Sequence, residues 1–239
     1  MSLMTDPSEL WNFDDPAGSE RRFRTAAETA EGTHRLVLLT QVARALGLQE
    51  RYDEAHVLLD DLSVADPEVA TRSALERGRL LRSAGDQEAA RPHFEAAATT
   101  AREAGLEALL VDALHMVALA APADEQQRLT EEALAVARAA SDQAARDWDA
   151  SLLNNLGMVH ADAGDWQAAL ATFQEALAAR ERIGDAGRTR VAKWMIGWSL
   201  RNLGRTEEAL SMQTALKAEL EAAGEEDPYV DEELALLKG

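Results

Sequence analysis

The sequence predicts an all-α fold, an α-solenoid in which helical hairpins stack one against the next. The first observation is an internal repeat, because the residue spacing that begins at Gly157 returns at Gly197, 40 residues later. A period of this size is typical of stacked helical hairpins, each too thin to bury its own apolar stripe. The second observation is composition, since 14 Gly, 6 Pro and 5% aromatic residues among 239 favour helix almost everywhere. We expect no β-sheet.

A polar tail and half a hairpin precede the repeats. Residues 1–15 are predicted to be a polar N-terminal tail that drapes over the first helices or stays mobile. Asp15-Pro16 marks a helix start. The aspartate can accept hydrogen bonds from the free N–H groups of the first turn, and the N–H that proline lacks would have no helical partner there. Residues 16–31 are therefore expected to form half a hairpin that seals the open end of the stack.

Five hairpins and a closing helix follow, and the prediction is a single solenoid over residues 16–239. Asp66-Pro67 and Asp227-Pro228 mark two further helix starts by the same chemistry. Residues 227–238 are expected to form a short acidic helix that caps the other end. The hairpins are predicted at about 36–66, 71–105, 108–141, 150–184 and 190–224.

Glycines are expected where helices cross closely and where they end. Gly157 and Gly197 would let the first helix of a hairpin approach its partner, because neither carries a side chain. Gly164 and Gly204 fall at the ends of first helices, a place that often requires a left-handed residue.

One proline interrupts this regular pattern. Pro92 falls beyond the first turn if its helix begins after Asp86. A proline at such a position removes a helical hydrogen bond and clashes with the preceding turn. We therefore expect a kink or a late helix start at this point.

The fourth hairpin carries the sequence that is most specific for a known repeat. It reads Leu153-Asn154-Asn155-Leu156-Gly157, then Gly164-Asp165-Trp166, then Phe173 and Ala176-Leu177. These units resemble tetratricopeptide repeats, and the longer later units are similar to the long-helix variety of kinesin light chains and bacterial regulators. The resemblance implies a right-handed superhelix that binds a partner rather than one that performs chemistry.

The overall charge and the missing motifs exclude several classes of function. Forty-three acidic and 24 basic residues give a net charge of −19, which repels nucleic-acid phosphates and anionic membrane surfaces. The chain contains no cysteine, no membrane-spanning apolar run, and none of the common nucleotide-binding, nucleophile or metalloprotease motifs. We expect a cytoplasmic, non-enzymatic protein that needs no metal or cofactor and binds neither nucleic acid nor membrane.

The resemblance implies that the first helix of each hairpin lines a concave groove. Arginine pairs with carboxylates, tryptophan and methionine give apolar contact, and asparagine bonds to extended backbone. The expected ligand is therefore a peptide segment with acidic and apolar side chains. The predicted peptide- or protein-binding residues are Arg72, Arg79, Arg82, Asp112, Met116, Asn154, Met158, Trp194, Trp198 and Arg201.

Other interpretations of the same residues stay open. Trp194 and Trp198 would instead pack beneath the C-terminal cap, and the arginines would neutralise neighbouring carboxylates. His115 is interpreted as a core histidine. At the level of function, the alternatives are the sensing half of a peptide-responsive regulator, a structural homo-oligomer and, more remotely, an enzyme. The expected partner is a protein or peptide of unknown identity, bound by a monomer or homodimer.

Overall fold

The protein is helical throughout the part of the chain that the structure describes. The structure is a computed structural model that describes residues 7–239, so the first six residues of the predicted tail lie outside it. Within residues 7–239 there is no strand, and the all-α prediction is confirmed. The helices group into two compact units, of which the first ends at Pro122 and the second begins at Ala123.

The first unit contains a short 3-10 helix, Pro7–Leu10, and six α-helices. Each α-helix packs against the next along the chain. The first helices of successive hairpins, α2, α4 and α6, also pack side by side, α4 against both of the others. The helices are α1 (Pro16–Thr29), α2 (Gly32–Gly47), α3 (Tyr52–Asp60), α4 (Pro67–Ser83), α5 (Gln87–Ala104) and α6 (Glu107–Ala120).

The second unit follows the same principle of sequential packing. Helix α9 packs against α7 and α10, and α10, α11, α12 and α13 then pack each against the next. The last helix, α13, also contacts α11. The helices are α7 (Ala123–Ala139), α8 (Gln143–Arg146), α9 (Asp149–Asp162), α10 (Trp166–Ile183), α11 (Ala186–Asn202), α12 (Thr206–Ala223) and α13 (Pro228–Lys238).

The helix ends follow the predicted chemistry. At each Asp-Pro start the aspartate carboxylate accepts a backbone N–H two or three residues further on, and the proline opens the helix. After α9 and α11 the chain turns at Gly164 and Gly204, whose φ angles of +76° and +73° favour a residue without a side chain. Both predictions are confirmed. Of the two alternatives expected at Pro92, the late helix start is wrong, because α5 begins at Gln87 and Pro92 lies inside it, and the kink stays a prediction.

In two hairpins a glycine of the first helix faces a large side chain of the second. Gly78 of α4 faces the ring of Phe94, and Gly157 of α9 faces the ring of Phe173, sixteen residues later in both hairpins. Both phenylalanines are fully buried. A methyl group at either glycine would overlap the facing ring. Close approach at Gly157 is thus confirmed, and the packing of these two hairpins depends on the missing side chain.

Substitution of Gly157 tests this dependence. Gly157→Ala places a methyl group in the Phe173 ring, so we expect it to lower the free energy of unfolding by about 1–3 kcal/mol. Gly187→Ala is the matched control, because its nearest atom would be Asp185 Oδ1 at 3.8 Å, an ordinary contact. The control should be neutral or stabilising by up to about 1 kcal/mol, since alanine favours helix. Urea unfolding of both variants measures the difference, and equal stabilities would contradict the packing described.

Candidate binding site

A cavity opens in the first unit beside α2, α4 and α6. Its volume is about 230 Å³. Three arginines, from α2 and α4, line it together with apolar side chains and one carboxylate. We call this cavity the arginine pocket. Its lining residues are Arg44, Gly47, Leu48, Glu76, Arg79, Leu80, Arg82, Ser83 and Met116.

One of the three arginines is neutralised by buried carboxylates. Arg79 donates to both oxygens of Asp112, at 2.6 and 2.7 Å, and also to Glu76. Burial alone would lower the pKa of Arg79, but the two adjacent carboxylates raise it. Burial alone would raise the pKa of Asp112, but the Arg79 guanidinium lowers it. Arg79, Asp112 and Glu76 therefore form a charged cluster that links α4 to α6.

The other two arginines have no carboxylate partner among residues 7–239. The Arg44 guanidinium lies 5.7 Å from the ring centroids of both Trp11 and Phe13, and it makes no hydrogen bond to the described chain. The Nε atom of Arg82 is buried without a hydrogen-bond partner. Burial lowers the pKa of Arg44, and nearby Arg79 adds to the shift, although a guanidinium stays charged in proteins.

The pocket therefore carries a local positive charge. Three arginines against the carboxylates of Glu76 and Asp112 leave one formal positive charge in a protein whose total is −19. Burial lowers the pKa of His115 to about 4, with Arg79 and Arg82 adding to the effect and Asp112 opposing it. His115 is thus neutral at physiological pH and adds no charge to the pocket.

The structure brings together some of the residues predicted for the first unit. Arg79, Arg82 and Met116 line the arginine pocket, and Asp112 holds Arg79. Arg72 instead pairs with Glu68 of its own helix, at 2.9 Å, and does not line the pocket.

Sequence reasoning missed Arg44, although a signal existed. Arg44 precedes Arg79 by 35 residues, the same offset that separates Ala55 from Ala90 in the repeat pattern. Arg44 therefore occupies in α2 the position that Arg79 occupies in α4. The predicted binding residues begin with Arg72 of the second hairpin, so they do not include Arg44 of the first.

The residues predicted for the second unit lie on α9 and α11. Trp194 and Trp198 of α11 stack at 5.9 Å, and Trp194 meets the ring of Tyr229 edge-on at 6.3 Å. Arg201 forms a two-pronged ion pair with buried Glu233, at 2.7 and 2.8 Å. Tyr229 and Glu233 belong to α13, so this helix lies over Trp194 and Arg201. Asn154 and Met158 of α9 are half-buried.

Residues 7–239 contain neither a metal-binding cluster nor a membrane-spanning helix. No group of three or more His, Asp or Glu side chains in this part of the chain is arranged to hold a metal ion. None of the helices described is both long enough and apolar enough to cross a membrane.

The sequence matches one family profile. Residues 148–215, from just before α9 into α12, match the profile described as tetratricopeptide repeat. No curated protein sequence matches the chain.

Several solved structures share the fold. A signal transduction ATPase with a tetratricopeptide repeat sensor, from Pyrococcus horikoshii, superposes with a TM-score of 0.73 at 13% identity over 93% of this chain. The match covers 36% of that protein, so this chain spans about a third of its length. A putative kinesin light chain from Podosopora anserina, with nearly identical TPR-like repeats, gives 0.60 at 16% identity, covering 79% of this chain and 96% of that one.

A bacterial protein with a bound factor is also similar. The Rap protein complexed with Competence and Sporulation Factor gives a TM-score of 0.64 at 12% identity, covering 97% of this chain and 71% of that one. Identities this low show a common fold and nothing more about function.

Removal of the Asp112 carboxylate tests the charged cluster. Asp112→Asn leaves Arg79 with Glu76 alone, so we expect a loss of about 2–4 kcal/mol in the free energy of unfolding. Asp60→Asn is the control, because it breaks an ion pair with Arg77 in which the Asp60 side chain is 67% exposed. The control should cost less than about 1 kcal/mol. Equal losses in urea unfolding would show that the cluster does not stabilise the unit.

The lowered pKa of His115 predicts a dependence of stability on pH. Between pH 6.5 and about 4 the unfolded chain binds a proton at His115 that the folded chain does not, so stability falls as the pH falls through this window. The loss should reach at most about 3 kcal/mol. Unfolding curves at pH 7.5 and 4.5, compared with those of His115→Gln, measure it. Parallel behaviour of the two proteins would contradict the assignment.

Proposed function

Because the chain is a tetratricopeptide-repeat protein, we propose that it is a non-catalytic adaptor that binds a segment of a protein or peptide. The observation that carries the proposal is the arginine pocket, where Arg44 and Arg82 have no carboxylate partner among residues 7–239. Buried cationic groups are normally paired, because an uncompensated charge away from water is costly. A partner that supplies a carboxylate would remove this cost.

The apolar part of the pocket supports a partner with apolar as well as acidic side chains. Met116 and Leu80 line the cavity, and Leu48, at its edge, is 49% exposed. A flexible methionine adapts to apolar groups of different shape. The net charge of −19 disfavours binding of an acidic segment to the protein as a whole, so a locally positive pocket favours binding there.

Trp194 and Arg201 contribute to binding in this proposal only if α13 moves. Both lie against α13, so a partner that contacts them would have to displace that helix. Their part in binding, with that of Trp198, Asn154 and Met158, stays a prediction.

A second candidate function is the sensing half of a peptide-responsive regulator. The observation that favours it is the shared fold with the Rap protein complexed with Competence and Sporulation Factor. A regulator changes conformation on binding, whereas an adaptor need not. Small-angle X-ray scattering with and without a bound peptide separates the two, because only the regulator should show a changed radius of gyration.

Selection from a displayed library of random peptides tests the adaptor function. The protein should enrich sequences in which Asp or Glu adjoins apolar residues. The double variant Arg44→Gln and Arg82→Gln should bind an enriched peptide at least tenfold more weakly, because each lost charge-assisted hydrogen bond contributes about 1.5–3 kcal/mol.

A matched control distinguishes the effect of the pocket arginines from the effect of losing two positive charges elsewhere. Arg128→Gln and Arg138→Gln remove two arginines of the second unit whose side chains are 59% and 52% exposed, and this double variant should bind like the parent. If no peptide is enriched, or if both double variants bind equally well, the proposed function is wrong.

A further inference from the structure

Arg44 is held in place by aromatic rings instead of by a carboxylate. Its guanidinium lies 5.7 Å from the ring centroids of Trp11 and of Phe13. The two rings stack in parallel at 4.7 Å, and we call them the aromatic pair. A cation beside an aromatic ring is attracted by the ring's negative face, which orients the cation but leaves its full charge and its hydrogen-bond donors unused.

The aromatic pair is itself firmly attached to the first two helices. Trp11 Nε1 donates to Gln41 Oε1 at 3.0 Å, and the Trp11 ring meets buried Phe23 edge-on at 5.0 Å. Asn12, between the two rings, exchanges two hydrogen bonds with Ser19, both at 2.9 Å. Gln41 and Arg44 are one turn apart on α2, so the same segment that binds Gln41 reaches Arg44. The N-terminal segment thus positions Arg44.

The charge of the pocket favours one class of anion. Glu76 and Asp112 already offset two of the three arginines, which leaves one positive charge. A carboxylate carries one negative charge and would balance it. A phosphate monoester carries roughly 1.5 to 2 negative charges at neutral pH. Its excess negative charge would lie near the Glu76 carboxylate, which lines the same cavity.

The size and lining of the cavity indicate what carries the carboxylate. A volume of about 230 Å³ is several times what one water molecule occupies. Leu80, Met116 and Gly47 line it beside the guanidinium groups. A carboxylate on a short apolar stem fills such a space, with the stem against Leu80 and Met116 and the oxygens near Arg44 and Arg82.

We propose that the arginine pocket is a site for one carboxylate on a short apolar stem, and that the aromatic pair belongs to this site because it holds Arg44 ready without neutralising it. This inference rests on the proposed binding function and names the ligand chemistry and a positioning element that it requires. The carboxylate comes either from an acidic side chain of a peptide or from a small free organic acid. In the first source the carboxyl group is attached to a peptide backbone, and in the second it belongs to a separate small molecule.

Three peptide probes and one small acid test the ligand class. The peptides are acetyl-Ala-Leu-Glu-Leu-Ala-amide and its versions with glutamine or phosphoserine in place of glutamate, and the acid is butyrate. Binding is followed by the NMR signal of the Trp11 indole N–H, assigned with Trp11→Phe. The glutamate peptide should shift this signal with at least tenfold higher affinity than the glutamine or phosphoserine peptides. Equal affinity of the glutamate and glutamine peptides, or tighter binding of phosphoserine, overturns the ligand class.

Variants of the aromatic pair test the positioning element. Affinities of these variants are measured by isothermal titration calorimetry, because a change of Trp11 removes its indole signal. Trp11→Leu should weaken binding of the glutamate peptide three- to tenfold, whereas Trp11→Phe, which keeps a ring beside Arg44, should retain most of it. Trp11 Nε1 also donates a hydrogen bond to Gln41, so Trp11→Leu removes a contact that helps to fold this segment. Phe13→Leu is the second variant, because Phe13 is 52% exposed and its loss should leave the fold intact while weakening binding at least twofold. Unchanged affinity in Phe13→Leu overturns the role of the pair.

The outcomes separate this inference from the adaptor function. If butyrate binds in an Arg44-dependent manner but no peptide does, the carboxylate site stands and the adaptor function fails. If library peptides bind but their affinity is insensitive to Trp11, Phe13 and the exchange of glutamate for glutamine, the adaptor function stands and this inference fails. Arg128→Gln serves as the control throughout, because this side chain is 59% exposed and paired with Glu132.

Discussion

The close approach of paired helices is the constraint on which the rest of the structure depends. Where a glycine of one helix faces a buried ring of the next, as Gly78 faces Phe94, the ring packs directly against the helix backbone. The first helices α2, α4 and α6 lie side by side. Residues about 35 positions apart, such as Arg44 and Arg79, thereby become neighbours on one surface, and a cavity forms beside them.

The second feature is an uneven distribution of charge. The protein has more than enough carboxylates to pair with every arginine. Arg79 is paired with two of them, both buried. At Arg44 it uses two aromatic rings, which orient the guanidinium and leave its charge in place. In the second unit Arg201 is paired with Glu233 of α13. Beside the cavity of the first unit, by contrast, one formal positive charge is left where a ligand can reach it.

The sequence predicted the parts of the fold that depend on local chemistry. Asp-Pro helix starts, left-handed glycines and the glycine at the closest helix crossing all follow from residues near one another in the chain. The site was predicted only in part. The helical period places Arg79, Arg82 and Met116 on one face of their helices, but it does not show which residues of other helices they contact. Whether Arg79 meets Asp112, whether Trp11 reaches Arg44, and whether α13 lies over Trp194 depend on tertiary packing. The helix does not start late at Pro92, because α5 already begins at Gln87, and the fully buried Phe94 belongs to the same helix.

The central claim is that Arg44 and Arg82 have no carboxylate within hydrogen-bond distance in the described chain, and that the arginine pocket keeps one net positive charge. NMR of the arginine side-chain Nε–H groups tests it most directly, since a guanidinium held by carboxylates exchanges its protons slowly with water. In the free protein the Nε–H of Arg79 should exchange slowly and that of Arg44 quickly, and addition of a glutamate-containing ligand should slow Arg44. Slow exchange at Arg44 in the free protein, unaltered by the ligand, would contradict the account.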